Sequence, residues 1–451
     1  MADTQGVSIH SLDQMFAASE LSMPQREQRG DEVTERKLYA YRFDPPIPNF
    51  NLSESLDYTL EASAARQETT SSDNGNISYI NIDKADTVIV QIAPEKEGYI
   101  FKHVKYIVQN SERKSRVLRR YNDFSWLADA ITRRYPTRMI PSLPPKNLGG
   151  RTDAFLEKRR KGLSRFLNSL LRHPVLSKDE LVHVFFTEPS ELGEWKKQNT
   201  PSLEEEFARL QIYNASNEAT SGWNERFDKA QSRNEKAVKA YTDMCFSMDR
   251  IAKRQANQAK DYTRYGACLS SLSELENWCY TETCQRRCNQ VRLDSEQVAK
   301  HLQKARVNMQ SNADAINADT LEQLKRQRDL CLSFKDLCAR KQKIWGNTLE
   351  ILEKRLKANI IKVNQNRGIP GIEAEVEKLD IAINQDKKTM ALEKKRRAYI
   401  AKCIEEEIRY LQEQESYALI LHRNFTQLQA ESEQNLLDIW HQLQNKLSSG
   451  T

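Results

Sequence analysis

Hydrophobic residues in the second half of the chain recur at alternating spacings of three and four. One series begins with Val238, Tyr241 and Cys245, and a later series begins with Ile372 and Val376. This spacing places the apolar residues along one face of an α-helix and leaves polar residues on the other faces. The pattern predicts long helices that bury one stripe and expose the rest to solvent.

The positions of the prolines divide this helical half. Twelve of the thirteen prolines lie at or before Pro201, and the only later one is Pro370. Because proline breaks the interior of a helix, we predict two long helical tracts, 202–369 and 371–451, joined by a bend at 366–371.

A helix as long as the second tract cannot bury its apolar stripe within one chain. Its ~75 residues from Gly371 to Leu447 would reach roughly 110 Å if unbroken. An antiparallel bundle completed by a second copy solves this problem most economically. We therefore expect an all-α antiparallel helical bundle that forms a homodimer or a larger homo-oligomer.

The middle of the chain has a different periodicity. Three short β-rich runs are separated by turn-prone stretches, and two helical patterns follow with a proline-rich connection between them. The runs are 87–92, 104–108 and 115–119, and the helical patterns are 122–135 and 153–172. This order predicts a small α+β domain with a three-stranded β-meander plus helices.

The first 85 residues have no sustained periodicity and are polar and acidic, with 7 Lys and Arg against 14 Asp and Glu. Such a composition favours a disordered acidic tail. Residues 86–190 have the opposite balance, with 20 basic against 11 acidic residues, so we expect this block to attract anions. No apolar run in the chain approaches the ~20 residues needed to span a bilayer.

The sequence offers little for catalysis or metal binding. All eight cysteines lie in the helical half, which favours reduced thiols. Cys279, Cys284 and Cys288 with His301 lack the Cys-x2-Cys spacing of structural zinc sites. We predict no metal, no cofactor and no catalytic residues, because no set of nucleophile and base is recognisable.

The most informative motif joins the third strand to the next helix and reads Arg119-Arg120-Tyr121-Asn122-Asp123-Phe124. It is followed by the proline-rich string Leu143-Pro144-Pro145-Lys146 and by Lys158-Arg159-Arg160-Lys161-Gly162-Leu163. Together with the β-meander before it, this order resembles the PX domains, which read phosphoinositides in sorting nexins. The resemblance covers about 105 residues.

The resemblance implies a pocket for phosphatidylinositol 3-phosphate. Arg120 would clamp the 3-phosphate with its planar fork, and Tyr121 would stack beneath the inositol ring. Lys146 would contact the 1-phosphate, and Arg159 would bond the 4- and 5-hydroxyls. Residues 147–152, where many PX domains insert apolar side chains into the bilayer, offer only Leu148, so we expect weak insertion here.

A PX-like block followed by about 250 residues of proline-poor helix resembles the sorting nexins with BAR domains. The strings at 92–98 and 138–146 look closest to the sorting nexin 8 and fungal Mvp type. The predicted divisions are a tail at 1–85, a PX domain at 86–190, a linker at 191–218 and a BAR-type domain at 219–451. The resemblance implies a cytoplasmic protein, peripheral on early endosomes, in endosomal and retrograde transport.

The linker contains a possible amphipathic helix at 202–213. Leu203, Phe207, Leu210 and Ile212 would form its apolar face. Its acidic residues 204–206 oppose binding to anionic lipid, so a packing role within the protein and a membrane role stay open.

Basic residues near the bend and along the last tract form a possible membrane-facing surface. They are Lys354, Arg355, Lys357, Lys362, Arg367, Lys387, Lys388, Lys394, Lys395, Arg396 and Arg397. We favour contact with an anionic membrane over a nucleic-acid patch, and a merely solvated face is the alternative for any single residue. Two functions follow: a module that senses or shapes membrane curvature, or a rigid endosomal adaptor that binds lipid without remodelling it.

Overall fold

The structure is a computed structural model that describes residues 88–97, 103–146, 152–209, 222–275 and 284–448. These residues belong to one compact unit that begins at Ile80. The predictions of a disordered tail at 1–85 and of weak membrane insertion around Leu148 lie outside the described residues. Leu210 and Ile212 of the linker lie outside them as well.

The first three elements form an antiparallel sheet. Strands β1 (Val88–Glu97), β2 (His103–Asn110) and β3 (Ser115–Arg120) pair in the order β1-β2-β3. Val90 pairs with Val108, and Val108 pairs with Val117. Because strand side chains alternate between faces, these three valines point to one side, where they are buried. The predicted three-stranded meander is confirmed.

Four helices cover the buried face of this sheet or extend from it: α1 (Tyr121–Arg134), α2 (Asp153–Arg172), α3 (Glu180–Thr187) and α4 (Leu192–Gln198). The core is rich in large apolar side chains, including Phe124, Leu163, Phe166 and Phe185. Thr152 caps α2 by accepting from the amide of Phe155, and Asp179 caps α3 through the amide of Leu181.

The rest of the described chain is helical. Its helices are α5 (Glu206–Arg209), α6 (Trp223–Leu275), α7 (Gln285–Ala315), α8 (Leu321–Trp345), α9 (Thr348–Asn366), α10 (Glu373–Glu415) and α11 (Tyr417–Ser448). A π-helical turn, Ile316–Thr320, links α7 to α8. The predicted fold class, an α+β domain followed by an all-α bundle, is confirmed.

Contacts between the long helices show that they run antiparallel. Asn234, near the start of α6, donates to the carbonyl of Cys331 in α8. Gly266, near the end of α6, lies beside Ala299 of α7, which precedes Cys331 in the chain. Asn308 of α7 bonds Ser432 of α11. The predicted heptad stripe is buried at Cys245, Ala252 and Ala259 of α6.

Each of the two predicted helical tracts contains more than one helix. The first tract contains separate helices α6, α7, α8 and α9, and the second divides at Ser416. Gly346, between α8 and α9, has a φ of 54°, and the bend at 366–371 contains Gly368 and Gly371 with φ of 93° and 95°. Glycine adopts these values readily, so Gly346 ends α8 without a proline, whereas the bend combines two glycines with Pro370.

Candidate lipid-binding site

Two adjacent arginines at the end of β3 have opposite environments. Arg119 is 1% exposed, and its guanidinium donates to the carbonyls of Phe185, Glu188 and Ser190. Burial lowers its pKa to about 10. Arg119 therefore braces β3 against the segment that follows α3. Sequence reasoning assigned it no role, although alternation with the buried Val117 two residues earlier indicates burial.

Arg120 points away from the core, with its side chain 43% exposed. It is the last residue of β3 and the N-cap residue of α1. Its backbone N–H donates to Oδ2 of Asp123 at 2.9 Å, and its Nε lies 3.8 Å from Oδ1 of the same carboxylate. This cation is thus held beside the N-terminus of α1, where the helix dipole also favours an anion.

Tyr121 and Arg159 are stacked. The guanidinium carbon of Arg159 lies 4.8 Å from the centre of the Tyr121 ring and 4.4 Å from that of Phe155. Among the described residues, Nε and Nη2 of Arg159 are buried without a hydrogen-bond partner. Buried donors of this kind are costly unless a ligand or water accepts from them.

The proline-rich loop packs against this pair. Tyr121 Oη donates to the carbonyl of Pro144 at 2.6 Å. A Cβ at Gly162 of α2 would lie 3.0 Å from Cβ of Pro144, so the loop and helix approach too closely for a larger residue. Lys146, two residues after Pro144, is exposed.

The structure therefore brings together Tyr121, Arg159 and the loop that carries Lys146, while Arg120 adjoins them through the backbone with its guanidinium beside Asp123. An aromatic face, unpaired guanidinium donors and a lysine suit a phosphorylated ring. Arg160 does not share this role, because it pairs with Glu157 and donates to the carbonyl of Val90.

Comparison with known proteins assigns two family models to the chain. The family model of the PX domain matches residues 107–189, and that of the sorting nexin 8/Mvp1 BAR domain matches residues 200–451. The chain belongs to the sorting nexin 8/Mvp1 family. The resemblance stated from the sequence is confirmed.

Two relatives of this sorting nexin come from fungi. Sorting nexin mvp1 of Aspergillus oryzae is 35% identical over 370 residues, which are 80% of this chain and 51% of the relative. Sorting nexin MVP1 of Saccharomyces cerevisiae is 28% identical over 80% of this chain and 73% of the relative. The chain spans about half the length of the first curated relatives that it matches.

A solved structure shares the fold over most of this sorting nexin. It is the cryo-EM structure of the SNX-BAR Mvp1 tetramer, with a TM-score of 0.68 and 26% sequence identity, and the match covers 80% of this chain and all of that one. Within the described residues of this sorting nexin, no helix is both long and apolar enough to cross a membrane.

We define the arm of this sorting nexin as α9, the bend and residues 373–392 of α10. Arg355 pairs with Asp386, and Arg367 lies 3.8 Å from Asp380, so the two helices are antiparallel. Eight predicted surface residues are exposed on or next to the arm: Lys354, Arg355, Lys357, Lys362, Arg367, Lys387, Lys388 and Lys394. Lys395 is half-buried.

Arg396 and Arg397 of the predicted surface bond within the chain. Arg396 pairs with Glu205 of the linker at 3.0 Å, and Arg397 pairs with Glu350 of α9 at 2.9 Å. The hydrogen bonds from Arg397 lower the pKa of Glu350 to about 2. These two arginines hold α10 to its neighbours, so exposed lysines are better candidates for membrane contact.

The linker packs against α10. The ring of Phe207 lies 5.5 Å from that of Tyr399, and Glu206 is buried. Leu203 is 36% exposed. For the residues from 202 to 209, these contacts favour packing within the protein over membrane contact.

A buried network joins the PX domain to the BAR domain. Arg138, in the segment after α1, contacts Glu206 at 3.2 Å, Glu406 at 2.7 Å and Glu407 at 3.3 Å. Glu407 also accepts from the amide of Met139 at 3.0 Å and from His173 at 2.9 Å. We call Arg138, Met139, His173, Glu206 and Glu407 the junction.

Sequence reasoning missed the junction, because its partners are up to 269 residues apart. Met139 is 1% exposed and packs among apolar residues of the helical bundle. Nδ1 of His173 accepts from the amides of Val175 and Leu176, so its Nε2–H donates to Glu407. The segment between α1 and α2 therefore contacts the helical bundle through Arg138 and accepts the hydrogen bond of Tyr121 at Pro144.

Proposed function

We propose that this sorting nexin binds phosphatidylinositol 3-phosphate in its PX domain. The carrying observation is Arg159, whose buried Nε and Nη2 lack acceptors while its guanidinium stacks on Tyr121. Hydroxyls at positions 4 and 5 of an inositol would satisfy these donors. Tyr121 would pack against the ring, Arg120 would leave Asp123 to grip the 3-phosphate, and Lys146 would contact the 1-phosphate.

We further propose that the protein works as a homodimer or a larger homo-oligomer. One copy leaves large apolar side chains of the bundle exposed, among them Phe246 at 57%, Leu275 at 68% and Leu419 at 73%. Surfaces of this kind are commonly covered by a partner. The Mvp1 relative in the cryo-EM structure is a tetramer, which supports self-association here.

Two pockets on one assembly would bind a membrane more tightly than one. Once the first pocket is occupied, the second meets its lipid at a high effective concentration, which raises avidity by roughly 10² to 10⁴. Exposed lysines of the arm add attraction to an anionic leaflet. The proposed role is a non-enzymatic, peripheral protein of early endosome membranes that senses or shapes curvature in endosome-to-Golgi transport.

Flotation with liposomes tests the lipid pocket. Arg120→Ala and Arg159→Ala should each lose most binding to vesicles that contain phosphatidylinositol 3-phosphate. Arg116→Ala and Lys158→Ala are matched controls, because each removes a nearby exposed cation on the same element and should bind normally. Normal binding by folded Arg120→Ala and Arg159→Ala would reject the pocket.

The alternative is an adaptor that binds lipid through the PX domain without remodelling membranes. Electron microscopy of the full chain on vesicles with phosphatidylinositol 3-phosphate separates the two. Tubules would support a curvature function, and coated but spherical vesicles would support the adaptor.

A further inference from the structure

The end of the arm carries an exposed isoleucine. Ile369 lies in the bend between Gly368 and Gly371 and is 49% exposed. A Cβ added at either glycine would meet nothing within 4 Å among the described residues, so the bend is open on both sides. Helix-connecting turns usually carry polar residues, so a large apolar side chain here needs an explanation.

The outer face of α9 continues this apolar feature and adds positive charge. Leu352 and Val363 of α9 are buried. Lys354, Lys357 and Ile361 follow one another at spacings of three and four, on the opposite side of the helix. Ile361 is 56% exposed, and both lysines are exposed.

The start of α10 has the opposite charge. Glu373, Glu375 and Glu377 lie in its first turns, and the carboxylate of Glu373 accepts from the amide of Gly371 at 3.1 Å. The arm therefore has a basic face on α9 and an acidic edge on α10. An anionic surface would meet the α9 face and the bend, and it would be repelled by the start of α10.

We propose that the bend inserts Ile369 into the interface of an anionic bilayer, with the α9 face lying against the headgroups. This proposal rests on the proposed membrane function and names a second contact, separate from the PX pocket. Lysines neutralise anionic lipid while the isoleucine enters the apolar boundary, the combination that holds amphipathic segments at membranes. A second copy's arm would need an apolar cavity for Ile369, whereas a bilayer needs none.

Fluorescence quenching by brominated lipids tests insertion directly. Ile369→Trp and Ile381→Trp are compared with the unchanged full-length protein, which supplies the background from its six tryptophans. Ile381 is a matched control, because it is 63% exposed on α10 of the same arm. Vesicles contain phosphatidylserine and phosphatidylinositol 3-phosphate. We expect additional quenching for Ile369→Trp and none for Ile381→Trp.

A second quenching experiment distinguishes failure of this proposal from failure of the lipid pocket. In the Arg120→Ala background on vesicles of phosphatidylserine alone, Ile369→Trp should still show additional quenching at low salt, even if binding to phosphatidylinositol 3-phosphate is lost. Absence of additional quenching on both vesicle types would overturn the insertion.

Binding measurements complete the test. Ile369→Ser should lower vesicle affinity about tenfold, because apolar area no longer leaves water, and Ile381→Ser should not. Both variants should keep the mass of the unchanged protein in light scattering. A smaller assembly for Ile369→Ser without lipid would identify a second copy as the occupant and overturn the proposal.

Discussion

The junction and the arm use the same kinds of charged side chain in different ways. Arg138 of the junction is 6% exposed and contacts carboxylates from two elements, whereas Arg367 of the arm is 68% exposed and lies 3.8 Å from one half-exposed aspartate. Burial makes the first set of charges interdependent, because none can be removed without leaving another unpaired. Exposure leaves the second set nearly independent and screened by salt.

Because of this difference in burial, the junction and the arm have different roles. The buried network permits few arrangements, so it fixes how the PX domain sits on the bundle. The arm keeps its lysines in water, where they are available to an external anionic surface. A rigid junction would let lipid at the pocket and charge on the arm act on one membrane together.

The largest expected effect is at the junction. Arg138→Ala leaves Glu206 and Glu407 without their shared cation, and breaking a buried ion pair costs about 3–5 kcal/mol. We expect a markedly lower melting temperature and faster proteolysis between the two domains. The double variant Arg138→Met with Glu407→Gln should recover part of the lost melting temperature, because it removes the charge of Glu407 together with that of Arg138. A single variant as stable as the unchanged protein would show that the junction does not hold the domains.

The next effect concerns membrane affinity without loss of stability. Changing Lys387, Lys388 and Lys394 to Glu should weaken binding to anionic vesicles by at least tenfold at low salt, since each cation contributes about 1 kcal/mol near such a surface. The loss should shrink as salt rises. Melting temperature and assembly mass should not change. Equal binding by the triple variant in cosedimentation would show that these lysines are only solvated.

A smaller effect is expected in acid. Burial alone would raise the pKa of Glu407, but His173, the Met139 amide and Arg138 hold it below its ordinary value. The stabilisation is thus complete above the ordinary carboxyl pKa of about 4.3 and disappears as pH falls through the lowered pKa. Melting temperature should therefore fall more steeply below about pH 4 in the unchanged protein than in Glu407→Gln. If melting temperature falls equally with pH in both proteins, Glu407 is not the cause of the acid sensitivity.

The smallest expected effect is on the exposed ion pair of Arg367 in the arm. Arg367→Ala should change the free energy of unfolding by no more than about 0.5 kcal/mol, because exposed ion pairs contribute little. Chemical denaturation of Arg367→Ala and Arg138→Ala under the same conditions compares their free energies of unfolding. A loss above about 2 kcal/mol would mean that the arm, too, depends on its ion pairs.

The neighbouring arginines of the PX motif show how far the sequence leads. The motif identified Arg120, Tyr121 and Arg159 as candidates, and the structure stacks Tyr121 with Arg159. Nothing in the run of basic residues distinguished Arg160, which bonds the carbonyl of Val90 on a strand 70 residues earlier. Arg396 and Arg397 also looked like surface charges until their partners on the linker and α9 were known.

The sequence by itself determined the local structure and the family. Alternation of apolar residues predicted the meander, heptad spacing predicted the helices, and a contiguous motif identified the PX domain, because all of these depend on neighbours in the chain. Only the tertiary structure decided which arginines are buried and where each long tract divides into separate helices. Those outcomes depend on contacts between residues far apart in sequence, such as Arg138 with Glu407, which no local pattern encodes.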